Sequence, residues 1–325
     1  MAGVHPTEPR VSEVTRRADP QYWVRAYQLV FAASIPIPEM ISIDADARIG
    51  DTPDVVITDG AFPDNLPDAL ASSAVHEVNA QALLLRVAGV GRFLVREGRE
   101  ILIDKDPAAT AHDVRVYLLG TCLGVLLHQR GLLILHASGV VTDRGALVFA
   151  GASGAGKSTL LAELLRRGNK MIVDDVCAIR FDEESHPIVV PAYPRTRLWA
   201  DAAARFDVDT AKLPRTRPSW DKFERQVPDQ FSDHEAHLTH VFHLADPHDG
   251  DEFLLEPLSP FDAFTTLVEQ TYRGILLDGL DLRASHFELA SRAASSVNVI
   301  RVRRPVGSYR LEELADLVLG SLESP

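Results

Sequence analysis

Cysteine is scarce in this chain: its 325 residues include only Cys122 and Cys177, both in apolar surroundings. That is too few for a disulfide framework, and two thiols so placed read as reduced core residues of a cytoplasmic protein. Long apolar runs are missing too. The longest, Val116 to Leu127, is interrupted by Gly120 and Gly124, and it falls well short of the roughly 20 residues that a bilayer span needs. The opening stretch MAGVHPTEPRVSEVTRRADP contains no signal-peptide core. Positive charge is in deficit, with 33 Lys and Arg against 46 Asp and Glu for a net charge of −13. The expectation is a protein that binds neither nucleic acid nor an anionic membrane, since both need a cationic footprint. Any phosphate-bearing ligand must be held by a local device working against that field. Apolar content is not lacking: 46% hydrophobic and 24% charged residues are the proportions of a folded globular protein, and the length suggests two domains.

The pattern along the chain gives three parts. Residues 1–20 are polar and read as a flexible tail. Residues 21–130 read as a β-rich accessory domain ending in a helix. Its strand-like runs are VVIT (55–58), LLLRVAGV (83–90), RFLV (92–95) and ILID (101–104), and the helix follows Asp106-Pro107 with Val114, Leu118, Cys122 and Val125 at helical spacing. From 131 to 325 the order changes to strand (132–141), turn, strand (146–151), Gly-rich loop, helix (157–167) and strand (171–181), an α/β unit. Residues 191–235 are rich in Pro, Arg and Asp and read as long loops. A strand at 238–245, a helix at 259–277 with a Ser-Pro-x-Asp cap, a strand at 297–305 and an amphipathic helix at 309–322 complete the chain.

The chemistry concentrates at Gly151-Ala152-Ser153-Gly154-Ala155-Gly156-Lys157-Ser158, extended by Thr159. This fits G-x-x-x-x-G-K-[ST] between a buried strand and a helix, the context in which a P-loop works. Glycines let successive N–H groups face an anion, the helix adds the positive end of its dipole, the lysine reaches the β/γ-phosphates, and the serine hydroxyl ligates Mg²⁺. A net-acidic protein can hold a polyphosphate this way. Downstream, Met171-Ile172-Val173 ends in Asp174-Asp175. A strand adjacent to the P-loop strand would bring both carboxylates beside the phosphates, one to hold the metal and the other to take a proton from an attacking hydroxyl.

Residues 134–179 resemble the catalytic core of bacterial HPr kinase/phosphorylase, whose fold is related to the P-loop side of phosphoenolpyruvate carboxykinase. The layout as a whole is similar to the HPr-kinase-like proteins of ribosomal (lasso) peptide biosynthesis, some of which phosphorylate a serine of the precursor peptide. The resemblance implies an α/β P-loop kinase domain with a small β-rich N-terminal domain, ATP and Mg²⁺ as cofactors, and a peptide or protein substrate with an acceptor serine. It implies that Lys157 lies on the phosphates and Ser158 and Asp175 hold Mg²⁺. It also implies that Asp174 is the general base and that His136 lies near and assists it. HPr kinases are hexamers, which leaves homo-oligomerisation open. The chain departs from the family at Thr159 (Glu there), at Arg167-Gly168-Asn169 (Arg-Gly-His), at His136-Ala137 (His-Gly) and in lacking the downstream Arg-Gly-Leu-Gly signature. These departures leave open whether HPr is the substrate and whether the reverse phosphorylase reaction exists.

Other residues admit more than one reading. Arg195 and Arg197 are candidates for a phosphate or substrate clamp, because guanidinium pairs bidentately with phosphate; Lys222 and Arg273 are weaker candidates. His234, His237, His240 and His243 recur every third residue, a spacing that alternates faces on a strand and does not build H-E-x-x-H, so they read as coincidence. Arg301, Arg303 and Arg304 read as a solvated cluster. The expected activity is a Mg²⁺-ATP-dependent kinase, with ATP or GTP not separated by the sequence. A nucleotide-gated binding module and a small-molecule kinase are the alternatives.

Overall fold

The computed structural model of the chain describes residues 14–44, 52–217, 220–307 and 310–322. The N-terminal strands are β1 (Thr15–Arg16), β2 (Tyr22–Ala26), β3 (Leu29–Ala33), β4 (Ile41–Ser42), β5 (Val55–Ala61), β6 (Ala71–Ser72), β7 (His76–Val78), β8 (Ala82–Val87), β9 (Gly91–Arg96) and β10 (Glu100–Lys105). They form one sheet in the order β4-β2-β3-β5-β10-β9-β8-β7-β6, with β1 on β5. Part of the expected tail, residues 1–13, lies outside the described residues. The remainder is not loose, because Thr15 and Arg16 pair with Ala61 and Gly60 and the Arg16 guanidinium bonds to Glu100.

A helical segment follows, α1 (Ala111–Tyr117), a π-helical turn (Leu118–Cys122) and α2 (Leu123–Gln129). Thr110 and Asp113 close a capping box at its start. The π turn widens the helix where the ring of Tyr272 lies against Gly120 and Gly124. A Cβ on Gly124 would sit 2.7 Å from Tyr272 Cδ1, so glycine there makes room for an aromatic ring.

The second sheet contains β11 (Leu133–Thr142), β12 (Gly145–Ala150), β13 (Lys170–Phe181), β14 (Pro187–Val190), β17 (Ala236–Leu244), β18 (Leu254–Pro257) and β19 (Asn298–Arg303). Its order is β12-β11-β13-β14-β17-β19-β18, and β17 also pairs with β12, which closes five strands into a circuit. The expected adjacency of the Asp-Asp strand to the loop-bearing strand is corrected here: β11 lies between β12 and β13, antiparallel to both. Residues 191–235 are not simply loops. They contain β15 (Arg195–Trp199), α4 (Ala200–Arg205) and β16 (Lys222–Gln226), with β15 and β16 paired as a separate two-stranded sheet.

The helices of this half are α3 (Lys157–Arg166), α5 (Pro260–Glu269), α6 (Arg283–Ser296) and α7 (Leu311–Gly320). Ser259 caps α5, as its sequence leads one to expect, but the helix stops at Glu269, where the chain bonds to β11 instead: Gln270 O accepts from the His136 N–H and the Tyr272 N–H donates to Ile134 O. One face of the second sheet packs on α3 and α7 through Leu147, Phe149, Leu160, Leu164 and Val318. The other face belongs to a core that also holds Phe31, Ile57, Phe93 and Ile101 of the first sheet and Leu118 and Leu126 of the helical segment. Burying each such side chain contributes about 1.5–3 kcal/mol. The two sheets therefore share one interior across residue 130, and Tyr27 Oη donates to Val176 O across it at 2.9 Å. No helix among the described residues is long and apolar enough to cross a membrane.

Candidate active site

The apolar strand β12 ends at Ala150, and the chain then turns through Gly151, Gly154 and Gly156 at φ +148°, +86° and +103° before α3 begins at Lys157. Gly151 runs so close to β17 that a Cβ would stand 2.6 Å from Leu244 O. Gly156 at the helix N-cap offers no side-chain cap, so the first N–H groups of α3 stay available to an anion. Lys157 folds back over the loop and donates to Gly151 O at 2.7 Å and Ala152 O at 3.1 Å. Burial first, and then the charge of Lys222, lower its pKa to about 8.

Ser138, Ser153, Gly154, Gly156, Lys157, Ser158, Thr159, Asp174 and Asp175 border a cleft of about 540 Å³. Successive strand residues face opposite ways, yet both carboxylates border it. The cause is the backbone at Asp175, whose φ of +88° is left-handed and costs about 1–3 kcal/mol in a non-glycine residue. Asp174 is 5% exposed and its oxygens are fully engaged. Oδ1 accepts from Ser138 Oγ (2.6 Å) and Ser158 Oγ (3.2 Å), and Oδ2 from Thr196 Oγ1 (2.9 Å) and the Arg197 N–H (2.8 Å). Asp175 faces His136, whose Nδ1 lies 3.2 Å from Oδ1, and Arg197, whose Nη1 lies 2.5 Å from Oδ2. Burial alone would raise the Asp175 carboxyl, but Arg197 and His136 outweigh it and hold it well below the ordinary carboxylate range.

The β15–β16 hairpin closes one side. Arg197, Trp199 and Lys222 face the cleft, and Glu224 sits behind, accepting from Arg197 Nε at 3.1 Å and Arg195 Nη1 at 2.9 Å. The opposite rim comes from the ends of β17 and β19 through Pro247, Arg304, Pro305, Val306 and Gly307.

Of the residues singled out from the sequence, Ser153, Gly154, Gly156, Lys157, Ser158, Thr159, His136, Asp174, Asp175, Arg197 and Lys222 meet at this cleft. The pairings differ from expectation in one respect. Ser158 lies with Asp174 instead of Asp175, and His136 with Asp175 instead of Asp174. Arg195 is not at the cleft surface; it is 2% exposed and spent on Glu224 and Tyr193. Arg273 stays outside, against the ring of Tyr272. Ser138 and Thr196 escaped notice because lone hydroxyl residues carry no pattern, and Arg304 because it reads as a solvated cluster. Among the described residues, only His237 of the histidine series joins a group of metal-ligand type, an exposed one with Asp182 and His186. Cys122 and Cys177 are free thiols, both buried, and burial pushes Cys177 up to about 12.

No family model matches the chain. No curated protein sequence matches it either. Among solved structures it is similar to the Hpr(Ser) kinase/phosphatase from Coxiella burnetii, at 13% identity over 58% of this chain and 90% of that one, with a TM-score of 0.31. That likeness is too loose to carry function.

Proposed function

We propose that the chain is a Mg²⁺-ATP-dependent phosphotransferase that moves the γ-phosphate to a hydroxyl, that of a serine in a peptide or protein. The observation that carries this reading is the Ser158–Asp174 contact at the foot of an uncapped helix that follows a glycine-rich loop. Lys157 and the loop amides receive the β- and γ-phosphates. The Ser158 hydroxyl and the Asp174 carboxylate are hard oxygen donors of the type Mg²⁺ takes, directly or through water. When bound, that ion neutralises charge building on the β- and γ-oxygens.

The two aspartates take the roles their surroundings favour. Asp174 goes to the metal side, since its Oδ1 already meets the Ser158 hydroxyl, the other oxygen donor there. Asp175, beside His136, takes the proton of the acceptor hydroxyl. Arg197 has a buried Nη2 with no partner, a donor ready for a phosphate oxygen.

The test is transfer of label from [γ-³²P]ATP, with Mg²⁺, to serine-containing peptides and to the products of neighbouring genes. Phosphoserine that forms with the wild type and disappears with Lys157→Ala is the expected result. Nucleotide binding without transfer, together with an Asp175→Asn variant that behaves like wild type, would leave only a nucleotide-gated binding module.

A further inference from the structure

We infer that Lys222 is a catalytic residue of this site, a cation delivered by the β15–β16 hairpin to the phosphoryl group in flight. The inference rests on the phosphotransfer reading above and adds a residue to it. Trp199 and Lys222 are direct cross-strand partners, as are Arg197 and Glu224. Residues two apart on a strand share a face, so Arg197, Trp199, Lys222 and Glu224 lie on one side of the hairpin. Three of these four border the cleft. The fourth, Glu224, is buried and pairs with Arg195 and Arg197, and Arg197 has Asp175 as a second partner, which leaves Lys222 as the unpaired charge on this face of the hairpin.

Among the described residues, the Lys222 ammonium has no carboxylate and no hydrogen-bond acceptor; its one contact is the Trp199 ring, 5.7 Å from Nζ to the centroid. Trp199 stacks on Trp220 at 6.1 Å, and the Arg217 guanidinium lies over both Trp220 (4.6 Å) and Tyr117 of α1 (5.2 Å). A chain of ring and cation contacts thus holds the ammonium at the cleft and anchors it on the N-terminal helical segment. Such contacts fix a lysine in place without neutralising it. The charge is felt across the cleft, where it helps to lower Lys157 and Asp175. Lys157 and Lys222 both border the cleft, the first bonded to loop carbonyls and the second lying against a ring, so an anion entering between them would meet two cations.

The chemistry that fits is in-line transfer. The acceptor oxygen bonds to the γ-phosphorus, the bond from that phosphorus to the β–γ bridging oxygen breaks, the hydroxyl proton goes to Asp175, and ADP leaves. Charge spreads over the equatorial oxygens in flight, so a cation placed against them acts on the transition state more than on bound nucleotide.

Two titrations with the full-length chain separate these states: Mg²⁺-ADP alone, and Mg²⁺-ADP with aluminium fluoride, which mimics the phosphoryl group in flight. Lys222→Met should hold ADP within about twofold of wild type but bind the aluminium fluoride complex about 10²-fold more weakly, with Lys222→Arg recovering part of the loss. Equal affinity of wild type and Lys222→Met for the fluoride complex overturns the assignment. So does a loss of the same size for ADP alone, which would make Lys222 a ground-state binding or structural residue. If wild-type protein binds neither complex, the phosphotransfer reading itself falls and takes Lys222 with it.

Discussion

Arg197 Nη1 lies 2.5 Å from Asp175 Oδ2, with the two side chains only 9% and 14% exposed. Removing one partner strands the other charge in a poorly hydrated place. Arg197→Met should cost about 3–5 kcal/mol of stability, and the double variant with Asp175→Asn should recover part of it. Urea unfolding of the four proteins measures this.

The same pair sets an acid limb. The folded-state pKa of Asp175 is depressed, so its stabilisation is present above the ordinary carboxylate pKa of about 4 and is lost as pH falls further. Unfolding followed from pH 6 down to pH 2 should show wild type losing more stability below about pH 4 than Asp175→Asn does.

Asp174 and Asp175 should separate by experiment. Asp174→Asn should weaken the Mg²⁺ dependence of nucleotide binding about 10–100-fold. Asp175→Asn should keep Mg²⁺-dependent binding and lose turnover by about 10²–10⁴-fold. A fluorescent-nucleotide titration with and without Mg²⁺, paired with a transfer assay, distinguishes the two outcomes.

On the proposed function, Lys157 should make nucleotide affinity pH-dependent. Its pKa in the unliganded protein is about 8, and phosphates favour the charged ammonium. The nucleotide dissociation constant should therefore rise as pH climbs above 8, by up to about tenfold per unit. The unliganded protein runs the other way: the unfolded chain binds the extra proton between pH 8 and about 10.4, so stability should increase over that window. Lys157→Met should abolish both trends and most of the affinity.

Gly124 is a test of the Tyr272 seat. The added methyl of Gly124→Ala would meet the ring at 2.7 Å, and overpacking of this kind costs about 1–3 kcal/mol. Tyr272 lies 5.8 Å, ring to ring, from His136, so the variant should also lower turnover. Tyr272→Leu in the Gly124→Ala background should relieve the clash and restore part of the melting temperature.

Much of this is legible in the sequence. Alternation and helical spacing located β8 to β13, α3 and α7 to within a few residues, and the glycine spacing located the loop. The site's finer geometry was not readable, for three physical reasons. The left-handed turn at Asp175 is a tertiary constraint with no compositional mark, so which aspartate meets Ser158 stayed hidden. Helix α6, RASHFELASRAASS, buries alanines instead of a stripe of large side chains and shows little periodicity. The β15–β16 hairpin is separated by many residues rich in Pro, Arg and Asp, so no local turn signal announces that Arg197 will find Glu224.

The interior shared by the two sheets has a consequence for heredity. Leu133, Ile134, Cys177 and Ala178 of the C-terminal half are fully buried in a core that continues through Leu126 to Phe31. Separating the halves would expose that seam to water on both sides. The N-terminal sheet is thus not an interchangeable module bolted onto the half that carries the cleft. A lineage that discarded or swapped it would have to rewrite the inner face of the C-terminal half at the same time, and the two parts are expected to pass on and diverge together.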